Sequence, residues 1–308
     1  MRKTLSMATI VGLAFVFSLT ACSKDAEAVE AKIYGTLNYK LSNDEDSNGN
    51  SVMKAENNSS VIGIDASEGI SEGITGFAKL ELGVDTDDTN NNPLDSRLAY
   101  VGVDLNEIGS LSAGRQASPF TTNVSGHTDV FEVYGSNADQ TLFARDTNTI
   151  AYTNKIGAIT LDGLVKIDGS TGKDGIDVQE GTLTFNGPDG RVKASAGISN
   201  DRVNDIDYYG AGITLAAKSM PLTIGYTYTR KDAATDVDGN EIVASYTTGK
   251  AKLTGGYGKV EDSTGYYTAG LSYGMTKSLS TYVEYQHQDN TGSTLDTDSY
   301  STGFKFTF

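Results

Sequence analysis

Residues of opposite character alternate along most of this chain. In 221–230, Leu222, Ile224, Tyr226 and Tyr228 interleave with Thr223, Gly225, Thr227 and Thr229. In 264–274, Tyr267, Ala269, Leu271 and Tyr273 oppose Tyr266, Thr268, Gly270 and Ser272. In 278–288, Leu279, Thr281, Val283 and Tyr285 oppose Ser280, Tyr282, Glu284 and Gln286. The chain stops on the same rhythm, with Phe304, Phe306 and Phe308 set against Gly303, Lys305 and Thr307. A period of two puts each set on one face of a β-strand. The pattern predicts about sixteen strands, over 32–41, 59–67, 74–84, 96–104, 108–116, 147–155, 157–167, 178–186, 189–199, 206–216, 221–230, 242–249, 250–260, 264–274, 278–288 and 299–308. No stretch carries a helical period.

In each case one face suits hydrocarbon and the other suits water. The connections alternate as well. Short turns at 154–157, 186–190 and 249–250 exchange with longer polar stretches at 42–58, 85–95, 117–146, 199–205, 230–241 and 289–298. Antiparallel membrane barrels combine these features, with tight periplasmic turns, longer external loops, apolar side chains outside and polar ones within. The expected fold is all-β, one antiparallel transmembrane β-barrel, wide enough at this strand number to hold an aqueous channel. The nine C-terminal residues taken alone would also fit a soluble sandwich; recurrence along the chain separates the two. Composition is compatible, with 38% hydrophobic residues, 35 Gly and 17 Tyr. Past the N-terminus no apolar run approaches the roughly 20 residues of a transmembrane helix.

Residues 1–31 read as a signal peptide and leader, and 32–308 as one barrel domain. Met1-Arg2-Lys3 precedes an apolar run from about Met7 to Leu19, the form of a secretory signal. Two cleavage readings stay open. Leu19-Thr20-Ala21-Cys22 matches a lipobox, which would make Cys22 a lipidated N-terminus. Cleavage after Ala28 or Ala31 would instead discard Cys22. Cys22 is the single cysteine, so no disulfide forms within one chain. The net charge is −16, and losing residues 1–31 removes three basic and three acidic residues and leaves it unchanged. That argues strongly against nucleic-acid binding.

Several stretches together resemble the Gram-negative general porin family. They are Ile33-Tyr34-Gly35, Ser96-Arg97-Leu98-Ala99-Tyr100-Val101-Gly102, Gly109-Ser110-Leu111-Ser112-Ala113-Gly114-Arg115 and Arg145-Asp146-Thr147-Asn148-Thr149-Ile150-Ala151-Tyr152, with the terminal Phe308. The resemblance marks Phe304, Phe306 and Phe308 as the C-terminal strand by which such barrels are assembled. It implies a passive channel for small hydrophilic solutes and ions in the outer membrane, a homotrimer, and contact with lipid and lipopolysaccharide. It also implies that the third external loop, 117–146 here, folds into the lumen. Asp129 and Glu132 then fall where the family places loop carboxylates, facing wall cations at Arg97 and Arg145, with Arg115 near the rim. By strand parity Arg97 shares a face with Ala99 and Val101, which is taken as luminal because a charge facing lipid is costly. Two positions depart from the family. Val61 and Thr36 stand where it carries basic residues, so the pore is expected to be more negative and to prefer cations. Gly63, Gly76 and Gly102 would allow close approach at the trimer contact.

Residues 236–241 and 85–88 are rich in oxygen ligands but lack the twelve-residue calcium-loop spacing, so no metal or cofactor is expected. His127 lies near Ser125 and Asp129 without the context of a nucleophilic site, and no enzyme is expected. A substrate-selective channel, and a surface barrel serving as adhesin or phage receptor, are the remaining alternatives.

Overall fold

Alternation becomes a continuous hydrogen-bonded wall in the computed structural model, which describes residues 28–46, 48–87, 92–169, 175–263, 265–289 and 295–308. Cys22 lies outside them. The first nine strand segments are β1 Glu30–Glu45, β2 Ser51–Asn57, β3 Val61–Ser71, β4 Ile74–Val84, β5 Leu94–Asp104, β6 Ser110–Ala117, β7 Arg145–Ile156, β8 Ile159–Lys166 and β9 Val178–Asn186. The rest are β10 Val192–Asp201, β11 Ile206–Ala216, β12 Leu222–Asp232, β13 Val237–Thr248, β14 Ala251–Val260, β15 Gly265–Gly274, β16 Leu279–Asp289 and β17 Thr297–Thr307.

From β3 onward each strand pairs antiparallel with the next, and β17 returns to β1, with Thr36 opposite Thr307 and Tyr39 opposite Phe304. β2 and β3 both lie against β1, on successive halves of it. They form one wall position interrupted by a bulge at 58–60. Asn58 N–H donates to Asn38 O at 2.8 Å and Asn38 N–H to Ser60 Oγ at 2.9 Å. Seventeen segments therefore build a closed sixteen-strand barrel, as the alternation predicted, and closure leaves no free sheet edge.

Two expected loops are partly ladder. In 42–58, β1 runs on to Glu45 and β2 begins at Ser51; in 230–241, β13 begins at Val237. In these ends the two faces do not differ in polarity, as in Ser42-Asn43-Asp44-Glu45 and Asp238-Gly239-Asn240-Glu241, so they lose the alternation by which the other strands were read. β1 also starts at Glu30, two residues before the expected domain start.

The faces sort by polarity in the reverse of a soluble protein. Phe304 is 60% exposed and Val283 48%, whereas Glu284 is 3% exposed and Thr227 fully buried. Apolar side chains point outward and polar ones inward. Gly63 and Gly102 are inward too. The Tyr34 and Phe77 rings occupy the space beside them, so neither provides a close approach on the outer face; Gly76 lies against the Ile70 side chain. At one rim the turns are tight, at 72–73, 157–158 and 249–250, with Gly157 and Gly249 in the left-handed conformation such turns require. The other rim carries the long connections 85–93, 118–144 and 167–177.

Candidate functional site

The segment 118–144 rests against the polar face of the wall from β8 to β17. It opens with a helix, α1, Pro119–Asn123, which no helical period foretold. Ser118 is its N-cap, accepting from Thr121 N–H at 3.0 Å, and Pro119 occupies the first turn, where no N–H is needed. Ser118 Oγ and Phe120 N–H both donate to Glu180 of β9, at 2.8 and 3.3 Å. Phe120 and Val124 then bury against Tyr208, Ile206 and Leu142, the only hydrophobic core cluster among the described residues.

Beyond the helix the chain is seated on inward-facing positions that lack side chains. A Cβ on Gly210 would fall 2.8 Å from Val124 and 2.9 Å from Phe120. At Gly212 it would strike the His127 ring, at Gly225 the His127 carbonyl, and at Gly239 the Ala138 carbonyl. Phe131 lies over Gly256 and Gly270. Hydrogen bonds fix the seat. His127 bonds Thr214 Oγ1 at 2.7 Å and Ser195 Oγ at 3.0 Å, Thr128 pairs with Thr227, and Gln140 N–H donates to Thr229 at 2.7 Å. Burial pushes the His127 imidazole down to about 4, with the Lys193 charge adding to it, so it is neutral. Its partners are wall hydroxyls, and the Ser125-His127-Asp129 grouping does not form.

Glu284 of β16 holds the middle of the segment. Its carboxylate accepts from the N–H groups of Glu132, Val133 and Tyr134 at 2.6, 2.9 and 3.0 Å, a backbone nest around a buried anion. Glu241 of β13 accepts from Ser136 N–H at 2.9 Å. Glu132 is paired, with both oxygens 3.0–3.1 Å from Lys305 Nζ. Asp129 is exposed and makes no hydrogen bond or ion pair among the described residues.

The arginines gather elsewhere, on β5 to β7. Arg97 Nε donates to Glu81 Oε1 at 2.9 Å. Parity misjudged its neighbours. Tyr100 lies opposite Lys79 and Leu98 opposite Glu81, both inward, while Val101 is 63% exposed on the outer face. A bulge reconciles these facts. Glu81 pairs with Leu98 and Leu82 with Ser96, so Arg97 is an extra residue and turns inward out of phase with its strand. Arg115 Nε donates to the Ser96 and Arg97 carbonyls, at 3.0 and 3.1 Å. The Arg145 side chain forms no hydrogen bond or ion pair among the described residues and lies within electrostatic range of Arg97, Arg115, Glu81 and Asp95. No contact joins these arginines to Asp129 or Glu132.

Thr36 and Val61 do sit opposite each other on the inner face. The inner wall nevertheless has other cations, outside the stretches that carry the family resemblance. Lys79 pairs with Asp65 at 2.8 Å and lies 4.6 Å over the Tyr34 ring, Lys40 pairs with Glu56 at 3.2 Å, and Lys252 donates to Val130 O at 3.2 Å. Each was legible from parity, as Lys305 was between Phe304 and Phe306.

A family model described as Gram-negative porin matches residues 9–293. The outer membrane porin PhoE of Klebsiella pneumoniae is 26% identical over 298 residues, covering 80% of this chain and 83% of that protein. The anion-selective porin from Comamonas acidovorans superposes with a TM-score of 0.77 at 15% identity, over 91% of this chain and 100% of that one. OmpF of Salmonella typhi, solved in complex with daunomycin, gives 0.76 at 16% identity, over 90% and 97%. The closed barrel, its apolar exterior and the match over most of the sequence agree: this chain belongs to the Gram-negative porin family and is an outer-membrane channel.

Proposed function

We propose that the chain is a diffusion porin, a water-filled homotrimeric channel that passes small hydrophilic solutes and ions without chemistry and is narrowed by 118–144. The observation that carries this reading is the seating of that segment along the polar wall, away from Arg97, Arg115 and Arg145. Loop carboxylates and wall guanidinium groups then bound the space left for solutes, and a low-dielectric surround strengthens the field between them. Purified protein in a planar bilayer should give large, stepwise, ohmic conductance. A membrane that stays silent while the protein inserts would refute the reading.

Cation preference is the finer part of the proposal. Segment 118–144 carries Asp129, Glu132 and Asp139 and no Lys or Arg. Glu132 is neutralised by Lys305, which leaves Asp129 as the exposed, unpaired charge. An anion-selective porin is among the proteins of similar fold, so the fold does not set the sign; these side chains do. The mature chain would begin either at a lipidated Cys22 or after cleavage at Ala28 or Ala31, which intact mass distinguishes. External acidic groups would meet lipopolysaccharide through divalent cations.

A further inference from the structure

At the end of the barrel away from the tight turns, His287 stands on the outer face of β16 among carboxylates. Asp289 shares that face two residues on, Asp298 of β17 lies directly opposite His287, and Asp296 precedes Asp298 by two. The imidazole is held on two sides. Its Nδ1 bonds Asp298 Oδ1 at 2.9 Å, the oxygen that also accepts from the Tyr285 hydroxyl at 2.7 Å. Its ring stacks on Tyr267, with centroids 4.9 Å apart and planes at 26°. A carboxylate on Nδ1 fixes that nitrogen as the proton donor and turns the Nε2 lone pair outward, the arrangement that orients metal-binding histidines. Nε2 lies 3.2 Å from Asp289 Oδ1. One ligand atom each from His287, Asp289 and Asp296 all lie within 4.8 Å of one another.

In this tautomer Nε2 and the Asp289 carboxylate are two acceptors facing each other, beside a second aspartate. Among the described residues Asp289 and Asp298 pair with no Lys or Arg. Like charges on facing strands are destabilising. Either a second proton on the ring or a cation between the ligands relieves the repulsion. The spacing admits the metal. Bonds of about 2.0–2.2 Å at tetrahedral angles put donor atoms roughly 3.3–3.6 Å apart, near the 3.2 Å from Nε2 to Asp289 Oδ1, and the Asp296 ligand atom lies within 4.8 Å of both. The donor set fixes the class of ion. Imidazole with carboxylates suits zinc, copper or nickel, whereas calcium and magnesium take oxygen ligands.

We propose that His287, Asp289 and Asp296 bind one divalent transition-metal ion of the zinc class on the outer face of the barrel, with Asp298 as the positioning residue. The site leaves further coordination positions to water and is independent of conduction.

Calorimetry of the untagged, detergent-solubilised protein with zinc chloride tests this. One zinc per chain is expected, undisturbed by excess calcium. H287Q should weaken binding at least tenfold. D298N, which keeps all three ligands, should weaken it by about 10- to 100-fold. With copper(II) as probe, electron paramagnetic resonance should show coupling to one imidazole nitrogen, absent in H287Q and retained in H127Q. Heat-modifiable migration reports folding, and D289N serves if H287Q does not assemble. No zinc heat from the wild-type protein, meaning that a second proton is the only occupant, or equal affinity in wild type, H287Q and D289N, would overturn the proposal.

Discussion

The glycine seat gives the sharpest test of how 118–144 is held. Replacing Gly225 by Ala places a methyl group against the His127 carbonyl, well inside the 3.0 Å that real Cβ atoms essentially never cross. β12 is bonded on both sides and cannot yield, so the loop backbone must retreat by on the order of 1 Å to regain ordinary contact. Overpacking of this kind costs about 1–3 kcal/mol. The retreat also strains the pair between Thr128 and Thr227 and the bond from Gln140 to Thr229, worth about 1 kcal/mol each. A combined loss of about 2–4 kcal/mol shifts the ratio of seated to unseated loop by roughly 30- to 700-fold. G225A should therefore give altered single-channel conductance with added current noise, and G239A, against the Ala138 carbonyl, should do the same. Gly255 is the control, because a Cβ there meets nothing within 4 Å. G225A and G239A channels with the conductance and noise of wild type and G255A would show that the wall does not hold the segment in this way.

D129N should move the reversal potential in a salt gradient towards anions. One charge about 8 Å from a passing ion in a water-like dielectric contributes roughly 0.5 kcal/mol, a factor of about two in permeability ratio, fading at high salt. E132Q should move it the same way by freeing Lys305; a wild-type channel that already prefers chloride, or no shift in either variant, refutes the assignment. Burial first, then the charges of Glu241 and Asp129, pushes the Asp139 carboxyl up to about 8. The folded state thus binds more protons than the unfolded chain between about pH 4 and pH 8, so this group's contribution to stability falls as pH rises through that window and levels off above it. Conductance noise should grow between about pH 5 and pH 8 as the loop loosens and level off above that, and D139N should abolish the growth; an identical pH profile in both proteins counts against this titration.

Strand number, sidedness and the outward set of Phe304, Phe306 and Phe308 were fixed by the period of two, because each membrane-level residue faces either lipid or water and its chemistry records which. That record fades where the two faces do not differ in polarity, which is why the C-terminal end of β1, all of β2 and the start of β13 read as loop. It also fails at a bulge. One extra residue at Arg97 reverses parity locally, and no single strand shows where its partner adds or drops a residue. The length of 118–144 marked it as unusual, and the family resemblance suggested where it goes. Its attachment was not legible, because His127, Glu284, Glu241 and the inward glycines are scattered over many strands and meet only when the barrel closes. With 35 glycines in the chain, those that make the seat are chosen by register across neighbouring strands, as is the placing of Asp298 opposite His287. Local alternation decides what each strand is; the tertiary structure alone decides which side chains share a space, since only closure brings distant strands into one wall.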